Sequence, residues 1–178
     1  MSPALEIRVL RSDEIERAQR LRYEVWRAEG AVLANAESGK IEDAHDYHAL
    51  HWGAFDGEEL VGSARLCVHE SIDDAPDASM FAGVNLPEPV ASMNRLVILR
   101  PFRGNGIGRS LDEVRLEAAR LLGARSTLAT PVDVSAREQS LARLGFTRLQ
   151  NVRGNPCWSQ SVSILAYYMV LSSGERDR

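Results

Sequence analysis

Apolar and polar positions change period several times along the chain. Ile15, Ala18, Leu21, Val25 and Trp26 recur every three or four residues, which predicts an amphipathic helix. Ser12 or Asp13 caps it, and it ends near Gly30. A short strand at residues 5–10 precedes it, and residues 31–46 are irregular, with a short helix around 32–37. Residues 48–55 and 60–70 flank Asp56-Gly57 and read as a β-hairpin. An acidic, proline-bearing loop follows at 71–89, anchored by Met80 and Phe81. The run at 90–99 is a central strand, stopped by Pro101. Helical spacing returns with Ile107, Leu111, Val114, Leu116, Ala118 and Leu121. Strands at 126–130, 146–153 and 161–171 and a helix at 134–144 complete the pattern, before a polar tail at 172–178. This order predicts an α/β fold with a mixed sheet, in a single domain over residues 1–178.

Composition narrows the function. With 178 residues, 44% of them hydrophobic, the chain can bury a core. A net charge of −4 gives no overall basic field for nucleic acid. Cys67 and Cys157 form no spacing motif and are expected as free thiols in a reducing compartment. No secretory leader and no membrane-length apolar run is read, so the expectation is a cytoplasmic protein with neither membrane nor nucleic-acid partners.

Between the central strand and the second long helix lies Arg103-Gly104-Asn105-Gly106-Ile107-Gly108, followed by Arg109 and Ser110. Glycines let the chain turn sharply and let a ligand approach the amides. The helix start adds unpaired N–H donors and the positive end of its dipole. Together they predict an anion site, most naturally for a pyrophosphate. A Walker-type loop needs Gly-Lys-Ser/Thr, and the only lysine, Lys40, is far away. A dinucleotide fingerprint needs Gly-x-Gly-x-x-Gly and an acid at a later strand end, which the strand at 126–130 lacks. The remaining pattern, Gln/Arg-x-x-Gly-x-Gly/Ala, is met by Arg103, Gly106 and Gly108.

That pattern resembles the acyl-CoA pyrophosphate loop of the GNAT superfamily of N-acyltransferases. The stretch NRLVILRPFRGNGIGRSLDEVRLEAARLLGA (residues 94–124) is similar to that family's fourth strand, loop and third helix. LARLGF (141–146) resembles the end of its next helix. The resemblance implies the GNAT fold, α/β (α+β), with a mixed, mostly antiparallel sheet of about seven strands, a splayed central V and helices on both faces. It implies acetyl-CoA or another acyl-CoA as co-substrate, no metal, and a small-molecule amine acceptor. The backbone of Leu96, Val97, Ile98 and Leu99 would bind pantetheine, with the Val97 amide as oxyanion donor. Arg103, Gly104, Asn105, Gly106, Ile107, Gly108, Arg109 and Ser110 would surround the pyrophosphate. Family members also dimerise through terminal strands, so the apolar final strand allows a homodimer.

The chain departs from the family at the proton-transfer positions. Where many members carry a glutamate on the fourth strand the chain reads Ala91-Ser92-Met93-Asn94-Arg95, and the tyrosine before the LGF element falls on Ser140 and Leu141. The base is therefore unassigned, with His45 and His48 as candidates at the acceptor mouth. Asp43, His45, Asp46, His48 and His51 also invite a metal, but His48 and His51 would point to opposite faces of a strand. A second, weaker resemblance is to acyl-homoserine-lactone synthases. It aligns Arg22, Trp26, Asp43, Asp46, Arg65 and Arg95, with Asn94 adjacent, to that branch's active-site lining, and puts that branch's glutamate on Ser92. Each has a plain alternative: Trp26 as core, Arg22 bridging Asp43 or Asp46, and Arg65 and Arg95 needing partners in a half-buried sheet. A carrier-protein donor and a non-catalytic acyl-CoA-binding module stay open beside the enzyme reading.

Overall fold

The computed structural model describes residues 5–34 and 36–171; the polar tail predicted at 172–178 lies outside them. Seven strands form one mixed sheet in the order β1-β2-β3-β4-β5-β7-β6. They are β1 (Glu6–Val9), β2 (Leu50–Asp56), β3 (Glu59–His69), β4 (Val90–Ile98), β5 (Ser126–Ala129), β6 (Thr147–Gly154) and β7 (Ile164–Val170). The helices are α1 (Ile15–Ala28), α2 (Ile107–Leu121) and α3 (Ser135–Arg143). All neighbours pair antiparallel except β4 and β5.

The stripe read in the sequence buries Ala18, Leu21, Val25 and Trp26 of α1 against one face of the sheet, with Phe55, Leu60 and Val97. On the opposite face Ile107, Leu111, Leu116 and Ala119 of α2, with Leu141 of α3, pack on Ala64, Leu66, Ala91 and Met93. The loop at 71–89 is more ordered than expected. Its two single turns, Ile72–Asp74 and Ala78–Phe81, seat Phe81 over Val90, Leu128 and Ala166. The helix expected at 32–37 shrinks to one turn, Ala36–Ser38. The hairpin closes through Gly57 and Glu58, with Asp56 opposite Glu59 and Gly57 at φ +61°.

Two irregularities in β4 matter most. Its pairing with β5 runs only from Val90/Ser126 to Met93/Ala129, after which the strands part. On its other side the register moves from Arg65/Asn94 to Ser63/Val97, so β4 carries one extra residue there. This is a β-bulge, with Arg95 in the left-handed region at φ +56°. The final strand does not offer the free edge that a dimer through it needs. β7 lies between β5 and β6, and the edges are β1 and β6.

Candidate active site

The parting of β4 and β5 opens a cavity of about 940 Å³, running from the glycine loop along β4 to the bulge. At the loop, Gly104 and Gly106 both sit at φ +81°, with open space where a Cβ would project. Gly108 serves packing instead, since a Cβ there would lie 3.3 Å from Ile98 Cδ1. Gly106 caps α2 without any side-chain bond, and Ser110 N–H to Gly106 O (3.0 Å) is the first helical hydrogen bond. The amides of Ile107, Gly108 and Arg109 therefore lack intrahelical partners, and no acid occupies the first turn. Charge and donors both favour an anion here.

The flanking arginines are engaged. Arg103 donates Nε–H to Ile98 O at 2.9 Å and ion-pairs with Glu29, which follows α1. Arg109 pairs with Glu113 on the exposed surface of α2. Asn105 donates to Phe102 O at 3.3 Å. Of the residues expected around the donor, Leu96, Val97, Ile98, Arg103, Gly104, Gly106, Ile107, Gly108 and Arg109 line the cavity, while Leu99, Asn105 and Ser110 do not.

The backbone phase of β4 corrects one expectation. Leu99 N–H donates to Val61 O at 2.9 Å, on β3. Val97 lies two residues earlier, opposite Ser63, so its amide also faces β3 rather than the cavity. Ile98, out of phase, turns its carbonyl to Arg103, so Leu96 and Ile98 present the main-chain groups that face away from β3.

Beyond the bulge lies a chain of buried charges. Asp43 caps the turn Ala44–Tyr47 by accepting from His45 N–H (3.0 Å), and Asp46 accepts from Asp43 N–H (3.3 Å). That turn presents both carboxylates to the sheet. Arg22 donates from Nη1 to both oxygens of Asp46 (2.9 and 3.1 Å), and Gln19 adds a bond at 3.2 Å. Arg65 donates from Nη1 to Asp46 (2.7 Å) and Asp43 (2.6 Å), and from Nε to Asn94 Oδ1 (2.7 Å). Arg95 closes the chain on Asp43 and reaches Cys157 Sγ at 3.5 Å. Burial raises the carboxyl pKa of Asp43 and Asp46, but the guanidiniums of Arg65, Arg95 and Arg22 outweigh it and hold both below the ordinary range. Burial lowers Arg22 to about 10 against the opposing pull of Asp46.

The turn also sorts the histidines. It occupies the chain to Tyr47, so β2 starts at Leu50 and His48 is exposed outside the cavity, whereas His45 lines it. His51 is buried: its Nδ1 accepts from Arg22 (3.1 Å) and its Nε2–H donates to Asp46 O (3.1 Å), which fixes a neutral ring. Burial, then the charge of Arg22, lowers its pKa. Trp26 is buried in the core and also lines the cavity, stacked on Trp158 at 3.8 Å and 4°.

Sequence reasoning missed two groups. His69 on β3 contacts Ser92 Oγ through Nε2 at 2.9 Å and meets His45 edge to face at 5.6 Å between ring centres. On α2, fully buried Arg115 donates to Arg65 O (3.0 Å) and Asn94 O (3.3 Å), fastening both strands at the bulge. Buried Asp112 binds Arg115 at 2.5 Å and also Arg137 of α3. Helical spacing brings 112 and 115 together, but nothing local points to the bulge. Ser140, where the resembled family has tyrosine, lines the cavity, and Leu141 is core.

A model of the acetyltransferase (GNAT) family matches residues 12–146. No curated protein matches the sequence. Among solved structures, the chain is similar to FeeM, an N-acyl amino acid synthase from uncultured soil microbes. The TM-score is 0.70 at 17% identity, over 95% of this chain and 92% of that one. It is similar to a GNAT-family acetyltransferase from Staphylococcus aureus Mu50, at 0.67 and 12% over 94% and 99%. Arabidopsis thaliana NAA60, in complex with a bisubstrate analogue, gives 0.65 and 12% over 94% and 97%. At these identities the likeness is one of fold.

Proposed function

The chain belongs to the acetyltransferase (GNAT) family, and on that premise we propose that it transfers an acetyl or other short acyl group from acyl-CoA to a primary amine of a small molecule. The observation that carries this reading is the coincidence of three features in one cavity: the free amides at the start of α2, the parting of β4 from β5, and the bulge at Arg95.

In this reading the amides of Ile107, Gly108 and Arg109 hold the pyrophosphate, and Arg103 swings from Glu29 to join them. The pantetheine lies along Leu96 and Ile98, whose main chain bonds it in the place of the absent strand. One of their amides meets the thioester oxygen as negative charge develops on it. The amine attacks the carbonyl carbon, the C–N bond forms, the C–S bond breaks, and CoA leaves as the thiolate. Alignment of the two reactants supplies much of the rate. The amine proton passes, directly or through water, to a pair of rings: His45 at the cavity wall and His69 behind it.

Calorimetric titration with acetyl-CoA and free CoA tests the donor site. Micromolar binding, weakened about tenfold by Arg103→Ala, is expected from the loss of one charge-assisted contact. A folded sample that binds neither compound overturns the reading.

A further inference from the structure

We infer that the acceptor carries a carboxylate, bound between Arg65 and Arg95; this rests on the acyl-transfer reading above. The chain Arg22–Asp46–Arg65–Asp43–Arg95 holds three guanidiniums against two carboxylates. His51 does not alter the balance, because Arg22 and the Asp46 carbonyl fix it as a neutral ring. Arg22 and Arg65 are fully buried, Asp46 is 3% exposed, and the Arg95 side chain 8%. A buried cluster with one surplus positive charge is costly unless an anion completes it.

The unpaired donors lie where such an anion would go. Arg65 Nη2 and Arg95 Nε are buried without a hydrogen-bond partner among the described residues, and both side chains line the cavity with Asn94 between them. Arg22 Nε and Arg148 Nε are orphaned too, but of the four arginines only Arg65 and Arg95 line the cavity, where a ligand could supply the missing acceptor. Arg95 is held there by strain: a non-glycine residue at φ +56° within a bulge persists only where its surroundings fix it. The aspartates leave little for a cationic amine, since guanidiniums neutralise both and only Asp43 lines the cavity. A carboxylate supplies a single negative charge and two oxygens to two N–H donors. The donor's phosphates belong to the other end of the cavity, at the glycine loop. An amine and a carboxylate on one small molecule describe an amino acid or a close analogue.

Product binding tests this without turnover. N-acetyl amino acids and their carboxamides are titrated against the intact protein in pairs differing only at the carboxyl group. The acid is expected to bind about 100-fold more tightly, from two charge-assisted hydrogen bonds. Arg95→Gln is expected to bring the acid down to the carboxamide's affinity while leaving the carboxamide unchanged. Equal affinities of acid and amide across the panel overturn the inference, whether or not acetyl-CoA binds. If Arg95→Gln fails to fold, the wild-type pairs still decide. Failure of acetyl-CoA binding, with acids still preferred, would overturn the acyl-transfer reading and leave a carboxylate site.

Discussion

Nε2 of His69 lies 2.9 Å from the hydroxyl of Ser92, the β4 residue that stands where the resembled synthases carry glutamate. The pair thus fills the place of the absent acid, and His45 joins it to the cavity. Burial, then the nearby His45 and Arg65, lowers the pKa of His69, with Asp74 opposing. A ring so placed is neutral at pH 7 and able to accept a proton.

The first prediction concerns pH. Thiol release at saturating acyl-CoA is expected to fall on the acid side with a midpoint below about 6.5, the ordinary histidine value. His69→Asn is expected to lower kcat about 100-fold, the usual worth of one proton-transfer group. It should also remove that inflection and leave the acyl-CoA KM alone. A profile unchanged by the substitution would exclude His69 from proton transfer.

Stability should also fall as pH falls, in two stages. His51 and His69 have depressed folded-state pKa values, so their contribution is present above the unfolded value of about 6.5 and is lost below it. The depressed carboxyls of Asp43 and Asp46 withdraw theirs below about 4. Urea midpoints between pH 7 and pH 3 should show both stages. Asp46→Asn is expected to cost about 3–5 kcal/mol at pH 7, by leaving Arg22 and Arg65 underpaired, and to flatten the lower stage.

Arg115 fastens the bulge, so Arg115→Met should cost about 3–5 kcal/mol by unpairing two strand carbonyls and leaving buried Asp112 to Arg137 alone. Combined with Asp112→Leu, the loss should be clearly less than additive in a denaturant double-mutant cycle, because each substitution removes the same ion pair.

The loop glycines should separate by cause. Gly106→Ala meets open space and costs about 1–2 kcal/mol through its left-handed backbone alone. Gly108→Val drives into Ile98 and should lift the start of α2 from β4. Calorimetry is expected to show a greater loss of acetyl-CoA affinity for Gly108→Val than for Gly106→Ala.

The sequence made legible whatever is local. The α1 stripe, the hairpin at Gly57 and the glycine loop each depend on residues a few positions apart, and each forms close to where it is read. The fate of Val97 does not. A one-residue change of phase turns every amide to the other side of a strand, and the phase of β4 is set by β3 and the bulge. His48 stands outside the strand read for it because the capped turn at Asp43 delays β2 until Leu50. The arginine–aspartate chain joins residues 19 to 52 positions apart. The aligned positions were readable, but not which would be saturated and which left with an unpaired donor. His69 and Ser92 meet only because the whole loop at 71–89 returns the chain beside β3.

The sheet's two edges carry a last consequence. β1 has four residues, and the ladder between β6 and β7 breaks between Arg148 and Arg153, with Asn151 at φ +61°. Neither is a long, flat row of free backbone groups on which another chain could template itself. Self-association through strand addition is thereby discouraged at both ends. Among the described residues, that leaves the faces rather than the edges as ground for contact between copies, where single surface substitutions act without disturbing the cavity.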